Sequence, residues 1–150
     1  MISIVKNKRA YFDYEILEKY EAGIELFGYE VKSIKTGHIS LRGSFVIIKK
    51  SEVFLLNASI SPYQPGNTPK DYDPLRRRKL LLHKNEVKSL IGKSKQKGLT
   101  LVPLRVYTKR RKIKIKIGLA RAKKKLDKRE IIKKREIERE SKREIKEMGM

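Results

Sequence analysis

Few residues in this sequence have the type and spacing that catalysis or metal binding requires. There is no cysteine, and neither His38 nor His83 has a neighbour at a metal-ligand spacing. Most carboxylates lie beside lysine or arginine, an environment that lowers a carboxyl pKa and makes a poor general acid. No nucleophile elbow, Walker loop or glycine-rich dinucleotide turn occurs. The sequence therefore predicts no catalytic residue, no metal and no cofactor.

Positively charged residues are the side chains whose number and spacing do indicate a chemistry. Lysine and arginine total 39 against 17 acidic residues, which gives a formal net charge of +22 in 150 residues. Such an excess repels itself in a compact fold, so it favours a polyanionic partner, above all nucleic acid. Each cluster alone is also consistent with a solvated surface, but phosphate contacts would explain all of them together. The clusters predicted to contact RNA contain Lys8, Arg9, Lys32, Lys35, Arg76, Arg78, Lys79, Lys112, Lys114 and Lys116.

An anionic membrane is a weaker partner for these charges. The longest apolar runs, such as residues 80–82, are far shorter than the ~20 residues that a membrane span needs. The first residues contain neither a long apolar stretch nor a small-residue cleavage site. Together with the lack of cysteine, this pattern predicts a cytoplasmic protein.

Alternating apolar and polar residues predict that the positive side chains lie mainly on β-strands. The cleanest pattern is Ile113, Ile115 and Ile117 between lysines, which predicts a strand with one face in the core and one in water. Other strands are predicted at 11–17, 23–28, 45–48, 53–56 and 99–107, with a turn at 18–21 and a bulge or edge position at Pro103. Helices are predicted at 29–36 and at 85–97, the second with Asn85 as its N-cap.

The fold expected from these elements is mainly β, an OB-like antiparallel β-barrel with two or three short accessory helices and a basic C-terminal tail. Residues 1–10 are predicted to be a basic arm, residues 11–120 the barrel and residues 121–150 the tail. The stretch 61–78 contains four of the five prolines and is predicted to be irregular. The tail has opposite charges at helical spacing but little apolar surface, so we expect it to be disordered alone and helical on a partner.

Seven short motifs in a fixed order are more specific than any of these patterns. They are Asn7-Lys8-Arg9-Ala10, Tyr20-Glu21-Ala22-Gly23, Gly28-Tyr29-Glu30-Val31-Lys32-Ser33, Ile60-Ser61-Pro62-Tyr63, Asp73-Pro74-Leu75-Arg76, Arg78-Lys79-Leu80-Leu81-Leu82-His83 and Asp127-Lys128-Arg129-Glu130. Together they closely resemble the small protein B family, the SsrA-binding proteins that partner transfer-messenger RNA in bacteria. The resemblance extends from about Asn7 into the tail, which is nearly the whole chain.

The resemblance implies a non-catalytic role in trans-translation, the rescue and peptide tagging of stalled ribosomes. The barrel would bind the tRNA-like domain of transfer-messenger RNA at its D-loop and elbow. The tail would occupy the decoding centre and the empty mRNA channel of the ribosome. Elongation factor Tu would accompany the protein on the shared RNA, no membrane would be involved, and a monomer is expected.

The family's functional positions can be carried over motif by motif. The RNA-binding positions fall on Asn7, Glu21, Ala22, Gly23, Lys32, Leu81 and His83, and the ribosome-contacting positions on Lys123, Lys124, Asp127, Lys128 and Arg129. A carboxylate such as Glu21 can accept from base amino groups, although it could equally hold a turn through backbone amides. Phe12 and Ala122 depart from the histidine and glycine that many members have at these positions.

Two other classes of function remain open from the residues alone. One is a ribosomal or assembly protein with a basic tail, and the other is an RNA-processing enzyme. The adaptor predicts selective recovery of one tRNA-like RNA, whereas the assembly protein predicts recovery of bulk ribosomal RNA and the enzyme predicts RNA turnover.

Overall fold

The computed structural model describes residues 2–123, 129 and 132–140 of the chain. Its body contains a seven-stranded antiparallel sheet, a two-stranded sheet and three short α-helices. In chain order the elements are β1 (Ile2–Lys6), α1 (Lys8–Asp13), β2 (Tyr14–Ile24), α2 (Gly28–Lys35), β3 (Ile39–Ser40), β4 (Phe45–Lys49), β5 (Glu52–Leu56), β6 (Ser59–Ile60), β7 (Arg78–Leu81), α3 (Lys84–Ser94), β8 (Leu99–Lys109) and β9 (Lys112–Ala122). Residues 132–140 form a further helix, called here the tail helix.

The hairpin of β8 and β9 is the longest pairing in the sheet. Its two-residue turn, Arg110 and Arg111, has positive φ values of 52° and 64°, the backbone that matches the right-handed twist of the strands. The isoleucines of β9 point into the core and the lysines point away from it, as the alternation predicts. Gly118 lies where an added Cβ would come within 3.0 Å of Leu104 Cδ1, so β9 and its neighbours pack closely there.

The large sheet has the strand order β1-β8-β9-β2-β7-β5-β4. All of its neighbouring strands are antiparallel, which confirms the mainly β prediction. At the two ends of this order, β1 and β4 are not paired with each other in the described part of the chain. A closed barrel is therefore not found, although β4 lies close to β8.

The first ten residues do not form the predicted basic arm. Ile2–Lys6 pair with β8, and Ile4 and Val5 pack against the core. Asn7 then caps α1, because its Oδ1 accepts from the Ala10 N–H at 3.3 Å while its Nδ2 donates to the Pro103 carbonyl at 2.9 Å. The lysines and arginine of this segment masked a short apolar alternation that is sufficient for an edge strand.

The turn predicted at residues 18–21 is also wrong, because β2 runs without interruption through it. The register shifts between Ile16 and Glu18, so that Leu17 is an exposed bulge residue. A bulge reverses the alternation of apolar and polar side chains, and the sequence pattern therefore breaks although the strand continues. The predicted bulge at Pro103 is present, since the pairing of β8 with β9 shifts between Pro103 and Arg105.

The strand predicted at 11–17 begins only at Tyr14, because its first three residues belong to α1, and the strand predicted at 23–28 is only the end of β2, at Ile24. The other predictions differ mainly in their boundaries. The helix predicted at 85–97 is α3, and His83 rather than Asn85 is its N-cap. The predicted hairpin and first helix are confirmed as β4–β5 and α2, and residues 61–77 contain no element longer than the 3-10 turn Pro65–Asn67. Among the described residues, no helix is both long and apolar enough to cross a bilayer.

Candidate nucleic-acid interface

The outward side of the β8–β9–β2 sheet carries a dense set of positive side chains. Residues directly opposite each other in antiparallel strands share a face, so the register fixes which side chains accompany the β9 lysines. Lys109 lies opposite Lys112, Arg105 opposite Lys116, and Lys116 in turn opposite Glu21. The basic face, as we name this surface, comprises Lys19, Arg105, Lys109, Lys112, Lys114 and Lys116.

Glu21 lies within the basic face and is held there by a buried tyrosine. The Tyr107 hydroxyl donates to Glu21 Oε2 at 2.5 Å, and Lys109 Nζ lies 3.4 Å from both carboxylate oxygens. The Tyr107 hydrogen bond, assisted by Lys109 and Lys114, lowers the pKa of Glu21. Burial and the Glu21 carboxylate raise the pKa of Tyr107. Glu21 is therefore an oriented anion at neutral pH.

The tyrosine ring itself is covered by two cations. Tyr107 is 0% exposed, with the Arg105 guanidinium 5.4 Å and Lys116 Nζ 5.8 Å from its ring centroid. A cation over an aromatic face is attracted by the ring's electron density. The Tyr107 hydroxyl therefore positions Glu21, while the Tyr107 ring holds Arg105 and Lys116 of the basic face in place.

We expect Tyr107→Phe to move the pKa of Glu21 back toward its ordinary value of 4.5, because the principal hydrogen bond to the carboxylate is lost. Since folding lowers this pKa, ionised Glu21 contributes stability that is present above pH 4.5 and is lost as the pH falls through the folded pKa. An NMR titration of the Glu21 side-chain carboxyl carbon measures the change. Tyr20→Phe, which removes a hydroxyl bonded to Glu18 instead, is the control. Equal Glu21 pKa values in all three proteins would contradict this role of Tyr107.

Beside Glu21, three strands and the start of α3 form an open groove of about 300 Å³, called here the Glu21 groove. It is lined by Glu21, Gly23, Leu81, Leu82, His83, Glu86 and Lys114. Gly23 lies opposite both Leu81 and Lys114 in the sheet, which brings these distant segments together. A Cβ added at Gly23 would lie 3.4 Å from Leu81 Cβ and 3.8 Å from Lys114 Nζ, so glycine keeps the floor of the groove open.

The groove combines an apolar wall with groups that complement a nucleobase edge. Leu81 is 49% exposed, so a ligand in the groove can reach its apolar side chain. A carboxylate accepts from base amino groups, and an ammonium group donates to phosphate or carbonyl oxygens. The arrangement therefore suits a base from an RNA loop, with its phosphates on the surrounding lysines.

Five of the predicted RNA-binding residues meet in this groove, namely Glu21, Gly23, Leu81, His83 and Lys114. Lys112 and Lys116 lie on either side of Lys114 along β9 and belong to the basic face, but they do not line the groove. Lys32 and Lys35 are exposed on α2, and Lys8 and Arg9 are exposed on α1, but none of these four lines the groove. Lys79 is partly exposed and pairs with Glu52 at 3.3 Å.

The structure excludes Arg78 from direct contact with RNA. Its side chain is 0% exposed and donates to Glu30 Oε2 from Nη2 at 2.6 Å and from Nε at 3.0 Å. Arg76 is bound to the same carboxylate and lies over the Phe27 ring at 4.1 Å, so only part of it reaches solvent. Alternation within β7 turns Arg78 inward, a consequence that the run of four basic residues concealed.

Ala22 requires a second correction, because its side chain belongs to the core and cannot touch a ligand. It lies between Glu21 and Gly23 on β2 and therefore points to the opposite side of the sheet. Asn7 has both side-chain ends bonded within the protein, so its clearest contribution is to hold α1.

Several residues of the interface escaped the sequence analysis. Tyr107, Arg105 and Lys109 belong to it through the register of β8 with β9, and Glu86 through the cap of α3. The tight turn between two alternating strands was the available signal, since it determines which residues lie opposite the lysines.

The predicted ribosome contacts lie only partly within the described residues. Lys123 Nζ donates to the Tyr11 carbonyl at 3.0 Å, and its backbone N–H donates to the Asp13 carbonyl at 2.8 Å. Arg129 is exposed. Lys124, Asp127 and Lys128 fall outside the described part of the chain. The start of the tail is thus tied to α1.

The histidines have local roles where the structure describes them. His38 Nδ1 is 2.8 Å from the Thr36 hydroxyl, and His83 caps α3 with its backbone N–H bonded to Glu86. No group of three or more metal-ligating side chains is found among the described residues.

Comparisons of the whole chain with known proteins agree on one family. The family model described as SmpB protein matches residues 4–147. An SsrA-binding protein of Thermosynechococcus vestitus is 51% identical over 142 residues, covering 95% of this chain and 93% of the relative. One of Caldicellulosiruptor saccharolyticus is 52% identical over 144 residues, covering 96% and 90% respectively.

A solved structure shows the same similarity in three dimensions. It was described with the words "tmRNA-SmpB: a journey to the center of the bacterial ribosome", and the matching chain is 51% identical with a TM-score of 0.66. The match covers 81% of this chain and 85% of the solved one.

Proposed function

This chain belongs to the SmpB protein family, an RNA-binding adaptor family without enzymatic activity, and from this premise we propose that it binds the tRNA-like domain of transfer-messenger RNA and delivers it to stalled ribosomes in the cytoplasm. The observation that carries the proposal is the Glu21 groove within the basic face. A folded RNA with an exposed loop presents both a phosphate surface and accessible base edges, which is the combination that this interface complements.

Each part of the interface has a distinct proposed role. Lys112, Lys114 and Lys116 neutralise phosphates and supply most of the affinity. Glu21 accepts from a base amino group, while Leu81 packs against the base and Gly23 permits close approach of the backbone. The ring of His83 at the end of the groove stacks on an unpaired base. Lys8, Arg9, Lys32, Lys35, Lys79 and the exposed part of Arg76 contact more distant phosphates.

The division of the chain into body and tail is part of the proposal. We propose that the body has an OB-like fold, although its sheet is not a closed barrel among the described residues, and holds the RNA, whereas residues 121–150 act on the ribosome. There the tail occupies the decoding centre and the empty mRNA channel through Lys123, Lys124, Asp127, Lys128 and Arg129. The protein acts as a monomer, and elongation factor Tu accompanies it through the shared RNA.

The identity of the RNA that copurifies with the protein tests this function. We expect the recovered RNA to be dominated by one tRNA-like species, because the Glu21 groove selects a loop rather than charge alone. Sequencing of the RNA that remains bound after washes at low ionic strength measures this. Recovery of bulk ribosomal RNA alone would instead support a ribosome-assembly protein.

Removal of residues 127–150 should separate the two activities. We expect the shortened protein to bind the tRNA-like domain within about twofold of the full chain, because the Glu21 groove is intact and few phosphate contacts are lost. Peptide tagging in a reconstituted translation system should be abolished, because Asp127, Lys128, Arg129 and the rest of the tail that would enter the mRNA channel are absent. Loss of both activities to the same degree would contradict the division of labour.

A further inference from the structure

A second cationic cavity lies away from the Glu21 groove, where α1 faces the tail helix. It has a volume of about 650 Å³ and is lined by Lys6, Lys8, Arg9, Tyr11, Phe12, Arg135 and Arg139. Five of these seven lining residues are cations and the other two are aromatic. We name it the α1–tail cleft.

The aromatic rings of the cleft are surrounded by positive groups. Lys6 Nζ lies 4.8 Å from the Tyr11 ring centroid, and Lys19 Nζ of the basic face lies 5.8 Å from it. The guanidinium groups of Arg9 and Arg135 lie 5.4 Å and 5.8 Å from the Phe12 ring centroid. These contacts join the tail helix to α1 and place two flat apolar surfaces beside clustered donors.

The backbone around the cleft is fixed by specific bonds. Asn7 caps α1 and ties it to β8, and Lys123 binds the carbonyls of Tyr11 and Asp13. The body's half of the cleft is therefore preorganised. The tail helix completes it through Arg135 and Arg139, two exposed arginines one helical turn apart.

The charges of the cleft are incompletely compensated. Asp13 pairs with Arg9 at 2.9 Å, but no acidic residue lines the cavity itself. Like charges that share a cavity repel one another, so an anion entering the cleft would be attracted by all five cations and would draw the tail helix toward α1.

We propose that the α1–tail cleft binds a single-stranded segment of RNA, with its phosphates on Lys6, Lys8, Arg9, Arg135 and Arg139 and an unpaired base against Phe12 or Tyr11. The inference rests on the proposed RNA-binding function and adds a second site to it. Clustered arginines and lysines match phosphodiester groups, and aromatic rings in a cavity can be reached only by an unstacked base. A duplex has its bases stacked and paired and cannot use the rings.

Direct contact with a base can be detected with a unique fluorophore. The chain contains no tryptophan, so Phe12→Trp would supply the only one. A hexa-adenylate RNA should quench this fluorescence in a saturable manner, and a duplex of equal phosphate content should not. No quenching by hexa-adenylate, or equal quenching by the duplex, would overturn the proposal.

Affinity measurements with a second substitution of Phe12 and with an arginine variant remove the dependence on Phe12→Trp. Fluorescence anisotropy of labelled hexa-adenylate should show about tenfold weaker binding for Phe12→Leu, which retains an apolar side chain but loses stacking. Arg135→Gln with Arg139→Gln should also weaken binding about tenfold through lost phosphate contacts. Lys133→Gln with Lys134→Gln is the matched control, because it removes the same charge from the same helix outside the cleft. Unchanged binding by the first two variants, or an equal loss with the control, would refute the site.

The same proteins distinguish this inference from the proposed function. The Arg135 and Arg139 variant should bind the folded tRNA-like domain within about twofold of the full chain, because the Glu21 groove is intact. Leu81→Asp should lose that RNA but retain hexa-adenylate binding. If the unsubstituted protein binds the tRNA-like domain but not hexa-adenylate, only the proposed site in the α1–tail cleft is refuted. If it binds hexa-adenylate but not the tRNA-like domain, only the proposed function is refuted.

Discussion

Replacing Arg78 with methionine should lower the free energy of unfolding by about 3–5 kcal/mol, because it removes the fully buried one of the two guanidinium groups that pair with a buried carboxylate. Glu30 and Arg78 are both 0% exposed and are joined by two hydrogen bonds. Arg78 also donates to the carbonyls of Ala58 and Pro74, at 2.6 Å and 3.0 Å, so its loss removes one hydrogen bond from each of these acceptors as well. Urea denaturation of the full chain measures the loss.

The neighbouring residue gives a matched control for this substitution. Lys79→Met removes one positive charge from the adjacent position of β7, but its exposed pair with Glu52 is expected to contribute only about 0–1 kcal/mol. Glu30→Met combined with Arg78→Met should be less destabilising than Arg78→Met alone, since the carboxylate that has lost its buried partner is then removed as well. Equal stabilities of the Arg78→Met and Lys79→Met proteins would contradict the proposed role of the buried pair.

The same network has a defined pH dependence. Burial alone would raise the pKa of Glu30, but hydrogen bonds from Arg76, the Phe27 N–H and Arg78 outweigh it and hold this pKa below 4.5. Its contribution to stability is therefore present above pH 4.5 and is lost as the pH falls through the folded pKa. Burial and the same carboxylate raise the pKa of Tyr72 to about 12.

This network matters to function because it fixes the irregular segment that precedes β7. Tyr72 donates to Glu30 Oε2 at 3.0 Å, and Arg76 binds the same carboxylate. Residues from the 61–77 segment are thereby tied to α2, on which Lys32 and Lys35 lie. The segment thus contributes stability through Tyr72 and Arg76, which both bind Glu30.

The second large effect is expected on RNA affinity. Changing Lys112, Lys114 and Lys116 together to glutamine should weaken binding of the tRNA-like domain by about 100-fold or more at 0.1 M salt, because three phosphate contacts are lost. The slope of log K against log salt should become shallower by about 2 to 3. Anisotropy titrations at several salt concentrations measure both quantities.

A control with the same change in charge isolates position from net charge. Lys49, Lys50 and Lys70 are exposed and lie outside the basic face, in the β4–β5 hairpin and the irregular segment. Their joint change to glutamine should alter affinity only slightly. A comparable loss in both triple variants would indicate that net charge alone drives binding, which would remove the argument for the basic face.

The sequence predicted the interface best where a single strand carries the information. The lysines of β9 alternate with buried isoleucines, so their position followed from period-two patterning alone. Gly23, Leu81 and His83 were reached only through a family resemblance, because nothing local in the chain indicates that β2 and β7 are neighbours. Their meeting in one groove depends on register and strand order, which are long-range properties.

Local charge misled the prediction in two places. The basic residues of the first segment concealed the alternation that makes β1 an edge strand. The run from Arg76 to Lys79 suggested a uniformly exposed patch, whereas strand geometry directs Arg78 toward Glu30. Glu30 lies among apolar residues on the core-facing side of α2, and a carboxylate there requires a buried cation. That requirement was the missed signal.

Direct binding of the tRNA-like domain tests the central claim, namely that a loop-bearing RNA occupies the Glu21 groove. A labelled transcript of this domain should form a one-to-one complex in a gel at low ionic strength, and an excess of unlabelled duplex of equal length should fail to displace it. Absence of a shifted band, or full displacement by the duplex, would contradict the account.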